Sequence, residues 1–582
     1  MRPPLRRFVP LAVFASVLGG SVAFAQEAAR LPLHHAPEPT SAAISAADLM
    51  TRLYIFADDS MMGRLAGSAG DFKATSYIAA ELKRLGLQGG GDGGTFFQDI
   101  PLYRSAPSPS MRISVGSARF VVGQDFIPIN DMWFGRVPQI DRSRAVFGGT
   151  FGDTATMLGP SDGNERFVVV AASRDSAGRP QWGNSRQALT ARFSGAVAVA
   201  ITGLEAMDSA SRAQLLQPQS LILELPAITG GPPGMFADDM FGAPVPAFLY
   251  ITSAMAEQLL GRPVAGARAG QTGGIVQGNV DFKTQLIAAR NVIGIVPGSD
   301  PLLKGQFVAI GAHSDHMGEK RPPVDHDAMR ALLSVARSGG EPGTPPVVPL
   351  DDVQRIKQIT DSLHALEPSR LDSVFNGAND GGSGAVAALE IAEAFADAPV
   401  KPKRSILFVW RTGDENGFAG SGWFVAHQTP IVSRSAIVAE LNMDMIGGGD
   451  ADEISGGGPG SLQVVGLRRL STELGDLVDS VAASQPIPLR FDTRPDSGRD
   501  PLQLYCRGDQ YSYARYGIPG ILFTTGRTRS YRQVTDEPEY IDYAKLARVT
   551  SFVYDIARDV ANLDHRIIVD KPKPNPLAAC VQ

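Results

Sequence analysis

The chain alternates between two kinds of hydrophobic pattern. Short unbroken apolar runs at 291–296, 306–311, 405–410, 436–443 and 518–524 predict strands buried on both faces. Around them, apolar residues recur at helical spacing: from Ser45, over Asp71–Leu85, from Ser383 to Phe395 and over Tyr543–Val560. Ser383 stands where an N-cap is expected, with Val386 and Leu389 on one helical face. Strands alternating with helices predict an α/β domain, a mostly parallel mixed sheet flanked by helices. Further runs at Phe167–Ala172, Ala196–Thr202 and Val245–Ile251, with a helix at Ser253–Leu260, predict a smaller α/β module inserted at 145–268. It has no cluster of His, Asp and Glu at useful spacing, which suits a binding, gating or spacer role better than catalysis. Residues 320–375 form a polar excursion with short helices near Asp327–Arg337 and Asp351–Ala365.

Composition narrows the picture. At 582 residues the chain exceeds one core, and 43% hydrophobic with 20% charged residues is an ordinary globular balance. A net charge of −6 without a basic stripe excludes nucleic acid as the main partner. Two cysteines, Cys506 and Cys580, are too few for a disulfide framework or a thiolate zinc site, which leaves metal chemistry to histidines and carboxylates. Arg2, Arg6 and Arg7, the apolar stretch Phe8–Val22 and the Ala23-Phe24-Ala25 cleavage pattern predict a signal peptide over 1–25, followed by a leader over 26–44. No other run is long enough to span a bilayer. The expectation is a bacterial protein exported to the periplasm or beyond, with no membrane span once the signal is removed.

The ends of the apolar runs carry the chemistry. The run at 306–311 leads into His313, with Asp315 two residues on; Asp380 precedes the helix after Ser383; 405–410 leads into Asp414-Glu415; and 436–443 leads into Asp444. The C-terminal edge of such a sheet is where ligands collect. One imidazole with several carboxylates suits zinc, and Asp315 is close enough to take the free ring N–H of His313. Adjacent carboxylates at 414 and 415 can divide the work, one binding metal and one moving a proton.

These residues carry a resemblance. The motifs GAHSDH (311–316), NDGGSG (379–384), GDENGFAGS (413–421), NMDMIG (442–447) and GIPGILF (517–523) make the chain similar to the zinc metallopeptidases. That family includes bacterial secreted leucyl aminopeptidases, plasma glutamate carboxypeptidase and the transferrin receptor ectodomain. The resemblance implies the zinc-exopeptidase fold, with 45–144 as the N-terminal part of the peptidase domain, 283–565 as its catalytic part and 566–582 as a tail. Within it, 145–268 resembles a protease-associated domain. His313, Asp380 and Asp444 match the ligands of one zinc, with Asp380 bridging to a second. Glu415 matches a ligand of that second zinc, and Asp414 stands at the general-base position. The chain departs from the pattern in three places. Asp414 replaces the usual Glu, Arg532 stands where a ligand His follows Tyr531, and Gly508-Asp509-Gln510 replaces Ser-Asp-His. His565 is the only histidine after His427 and lies past the final helix, so no replacement ligand is evident. The implied function is an exported aminopeptidase-like enzyme acting on peptide or protein substrates, with one complete Zn2+ site and a degraded second one. The alternative is a catalytically impaired binding protein on a peptidase scaffold.

Overall fold

The computed structural model describes residues 31–582, apart from 130–138, 218–219, 224–245, 336–349 and scattered gaps of one to three residues. The signal-peptide segment and the start of the leader lie outside the described residues.

The central sheet is mixed. Its strands run in the order 220–223, 97–107, 282–296, 405–411, 307–313, 437–443, 520–524, 461–465 and 490–492. Strands Ser405–Arg411, Phe307–His313, Ile437–Met443 and Gly520–Thr524 are mutually parallel, so their C-terminal ends share one edge. Alternation along Ser405–Arg411 shows why this run is apolar throughout. Ile406, Phe408 and Trp410 enter one core cluster and Leu407 and Val409 another, all fully or almost fully buried. Burying each such side chain stabilises by about 1.5–3 kcal/mol. Helices Ala46–Phe56, Gly384–Asp397, Thr472–Ser484 and Tyr543–Asn562 pack on the first face, with Ala419–Ala426 and Gln510–Ala514 on the second.

A second, eight-stranded sheet has its own cores. It includes the three strands of the sequence reading, at Phe167–Ala171, Ala198–Thr202 and Ala247–Ile251. It also draws in Arg112–Val115, Ala118–Val121, Phe126–Ile129 and Ile140–Thr150, so the module starts well before residue 145, and it runs on to Thr272–Asn279. A long antiparallel ribbon joins it to the central sheet, with Phe97–Pro107 paired along Phe282–Val296 from Phe282↔Pro107 to Val292↔Phe97.

The 320–375 excursion is a ribbon of Gly318–Asp325 and Leu371–Phe375, enclosing helices His326–Val335 and Leu350–Leu366. Arg529 donates to the Ser334 carbonyl at 3.3 Å, tying the excursion to the loop that carries Arg532. The two cysteines form a disulfide, Cys506–Cys580, across 74 residues, fastening the C-terminal tail to the body.

Candidate metal centre

Three of the site-bearing loops leave adjacent parallel strands. His313 is the last residue of its strand, Asp444 follows Met443 directly, and Asp414-Glu415 lie just beyond Arg411. Asp380 comes from a different support, the single wide helical turn Ala378–Ser383 between the excursion and Gly384–Asp397. Gly381 in this turn has φ +77°, and a Cβ there would stand 2.7 Å from His313 Cε1, so only glycine lets the turn close on the imidazole. Asp536 fixes the turn by accepting from the Asn379 and Asp380 N–H groups, both at 2.9 Å. Ser383 makes no side-chain cap hydrogen bond. Its hydroxyl donates to the Asn379 carbonyl at 2.6 Å and accepts from the Ile446 N–H at 3.0 Å, stitching the Asp380 turn to the Asp444 loop.

His313 Nε2 lies 3.1 Å from Asp444 Oδ1 and 3.3 Å from Asp380 Oδ1. Donors each about 2 Å from one ion stand roughly 3–4 Å apart, so this set fits a single metal position. The tautomer of His313 is fixed differently from the sequence reading. Its Nδ1 is 3.1 Å from the backbone carbonyl of Asp315 and 3.7 Å from the Asp315 carboxylate. That carboxylate accepts from the Asp414 N–H at 3.2 Å, so Asp315 positions the histidine with its backbone and Asp414 with its side chain. Burial works against charge on His313, but the carboxylates of Asp414 and Asp444 outweigh it and hold the imidazole well above its ordinary pKa. Burial, then Asp509, Asp444 and Glu415, push Asp414 well above the usual carboxylate range against the pull of His313. A divalent cation in the cluster would reverse both shifts.

The second half of the site contains a residue that sequence reasoning missed. His316, fully buried, places Nδ1 2.8 Å from Glu415 Oε1 and 3.9 Å from Asp380 Oδ2. It belongs to the GAHSDH motif itself, three residues after His313 and far along the chain from Tyr531, after which the resemblance places a histidine. Arg532 pairs with the other oxygen of Glu415, Oε2. It does so from φ +56°, a left-handed conformation costing a non-glycine residue about 1–2 kcal/mol. Burial notwithstanding, Arg532 and His316 hold Glu415 well below the ordinary carboxylate range.

Two buried arginines brace the centre. Arg64, at the end of the short segment Asp59–Arg64, donates to four backbone carbonyls: Ser314 at 3.0 Å, Phe56 at 3.0 Å, Asn376 at 2.6 Å and Gly377 at 3.0 Å. Its own carbonyl accepts from the His316 N–H at 3.1 Å. Arg411 reaches Glu440 at 3.1 Å and Asn442 at 2.6 Å, and lies 3.1 Å from Asp509, the aspartate of the altered 508–510 motif.

The site is thus a histidine–carboxylate cluster able to hold a metal, at the carboxyl edge of an α/β sheet. Residues 291–557, which carry every residue of the centre, match the model of Peptidase family M28. Over 81 residues, 14% of the chain, it is 42% identical to "Leupeptin-inactivating enzyme 1" of Streptomyces exfoliatus, covering 18% of that protein. An "Aminopeptidase" of Pseudomonas aeruginosa shows the same identity over 81 residues and 15% of its length. The chain thus spans less than a fifth of the curated relatives it matches. Among solved structures, an aminopeptidase from Aneurinibacillus sp. strain AM-1 aligns with 91% of this chain and 97% of its own, at 16% identity and a TM-score of 0.47. A zinc aminopeptidase from Bacillus subtilis aligns with 89% and 96%, at 16% identity and 0.44.

Proposed function

We propose that the protein is an exported zinc metallopeptidase that hydrolyses peptides from the N-terminus. The observation that carries this reading is the convergence of His313 Nε2, Asp380 Oδ1 and Asp444 Oδ1 within 3.1–3.3 Å of the imidazole nitrogen. These three residues would hold the metal; bound there, zinc supplies Lewis acidity to a peptide carbonyl and to a water.

The chain's own residues supply the rest. Asp414 takes the proton of the attacking water on a carboxylate oxygen and passes it to the departing amine. As an aspartate it is one methylene shorter than glutamate, so its placement depends on the hydrogen bond that fixes its backbone to Asp315. The surplus of carboxylates attracts the protonated amino terminus of a peptide, which favours removal of N-terminal residues over internal cleavage. Export is supported by the signal-type N-terminus and by the Cys506–Cys580 disulfide, since such crosslinks persist in oxidising compartments. Among the described residues no helix is long and apolar enough to cross a membrane. The inserted module fits the protease-associated role of gating access.

A second reading, a binding protein on a peptidase scaffold, is favoured by one feature, the ion pair of Arg532 on Glu415. The test is zinc content after dialysis, followed by turnover of aminoacyl-arylamides. Retained zinc with turnover abolished in Asp414→Asn supports the peptidase. Retained zinc with no turnover of any aminoacyl-arylamide or peptide supports the binding protein, and a metal-free protein overturns the metal assignment.

A further inference from the structure

We infer that the second cation site is relocated rather than lost, with His316 as its nitrogen ligand beside Asp380 and Glu415. This rests on the metallopeptidase reading but goes beyond it, because the resemblance gives His316 no role and leaves that site without a histidine.

The argument begins with atoms that have no hydrogen-bond partner among the described residues. His316 Nδ1 and Nε2, Asp380 Oδ2 and Glu415 Oε1 are all buried and all unpaired. A buried polar group left unpaired costs about 1–3 kcal/mol, and three of these, His316 Nδ1, Asp380 Oδ2 and Glu415 Oε1, face one point and call for an occupant. His316 Nδ1 and Glu415 Oε1 are 2.8 Å apart yet do not have the geometry of a hydrogen bond, as expected of two lone pairs aimed at a shared third body. His316, Asp380 and Glu415 each offer an atom within 4.8 Å of the others, the second such group on Asp380 after His313–Asp380–Asp444. Asp380 uses Oδ1 toward His313 and Oδ2 toward His316, the division needed to bridge two cations.

Arg532 does not fill this position. It engages Oε2 of Glu415 and leaves Oε1 facing His316. Its guanidinium holds the outer edge of a carboxylate whose inner edge is free for metal. One imidazole nitrogen with two carboxylate oxygens suits zinc, or another divalent ion that accepts mixed nitrogen and oxygen donors. The backbone reinforces this placement, since the His316 N–H is anchored on the Arg64 carbonyl.

The experiment uses the full-length exported protein, dialysed with zinc and then against metal-free buffer. Elemental analysis should return two zinc ions per chain, falling to one in His316→Ala. Anomalous diffraction at the zinc edge should show one peak among His313, Asp380 and Asp444 and a second among His316, Asp380 and Glu415. That measurement needs no variant, so a misfolded His316→Ala does not remove the test. A single peak at the His313 position overturns the relocated site and leaves the peptidase reading intact. Two zincs in His316→Ala also overturn it. No peak at either position overturns both readings.

Discussion

Arg64→Met removes a guanidinium from the back of the metal centre while keeping a long apolar stem. In the native protein Arg64 is fully buried and donates to carbonyls from three separate segments, around Phe56, Ser314 and Asn376–Gly377. Two of these segments lead directly into Asp315 and Asp380. Each buried carbonyl left without its donor costs about 1–3 kcal/mol, and because some would find water or one another the sum is not additive. A loss of about 3–5 kcal/mol is expected, the range for breaking a buried charged network and a large share of a typical 5–15 kcal/mol stability. Arg64→Lys should recover less than half of it, because a compact ammonium cannot fork to carbonyls on opposite sides. Urea unfolding of the metal-free protein, followed by the fluorescence of Trp410 and Trp423, measures both values. A loss under about 1 kcal/mol for Arg64→Met, or a lysine as good as the arginine, would refute the reasoning.

Other predictions test separate parts of the molecule. Arg532→Ala should leave the zinc count unchanged, because it frees Glu415 Oε2 without touching Oε1; a drop measured by elemental analysis would show that the guanidinium is needed for metal retention. Reducing Cys506–Cys580, which closes a 74-residue separation, should cost about 2–4 kcal/mol, seen as a lower melting temperature with reductant than without. Burial pushes the Asp71 carboxyl up to about 7 from an ordinary 3.8, so the folded chain binds this proton more tightly than the unfolded one. Its contribution is therefore fully present below about pH 4 and is lost as pH rises through 7, with a slope of at most about 1.4 kcal/mol per pH unit. Asp71→Asn should flatten that fall between pH 5 and 8 in urea midpoints, and an unchanged slope would count against it.

The parallel core of the sheet was legible because its strands are buried on both faces and so read as continuous apolar runs. The run at 306–311 becomes Phe307–His313, and 405–410 becomes Ser405–Arg411. The residues at their ends were legible for the same reason, since each stands where a long apolar run stops. The strands at 112–129 were not, because short half-exposed segments such as Ala118–Val121 carry no long apolar run. His316 was hidden by proximity, since it lies three residues after His313 in the same loop, while the resemblance places a histidine far along the chain. The burial of Arg64 had no sequence signal at all, because an arginine in a turn reads as solvated until three distant carbonyls surround it. The cysteine pairing could not be read from a 74-residue spacing, which says nothing of distance in space.

The ribbon that carries the inserted module has a consequence for how the chain tolerates change. The module leaves at Pro107 and returns at Phe282, which are register partners, and the next step is closed by the Ser108 N–H on the Asp281 carbonyl at 2.9 Å. A short turn joining these two strands would therefore excise residues 108–281 without moving the strand that leads into Asp414. The excision would also remove Ser220–Leu223, the segment that pairs with residues 102–105 on the outer side of the ribbon. The trimmed protein would then present Phe97–Pro107 as a bare sheet edge, a template for self-association. The module thus acts as a selvedge for the central sheet, and a minimal version of this protein would need a charged residue or a proline along that edge to remain monomeric.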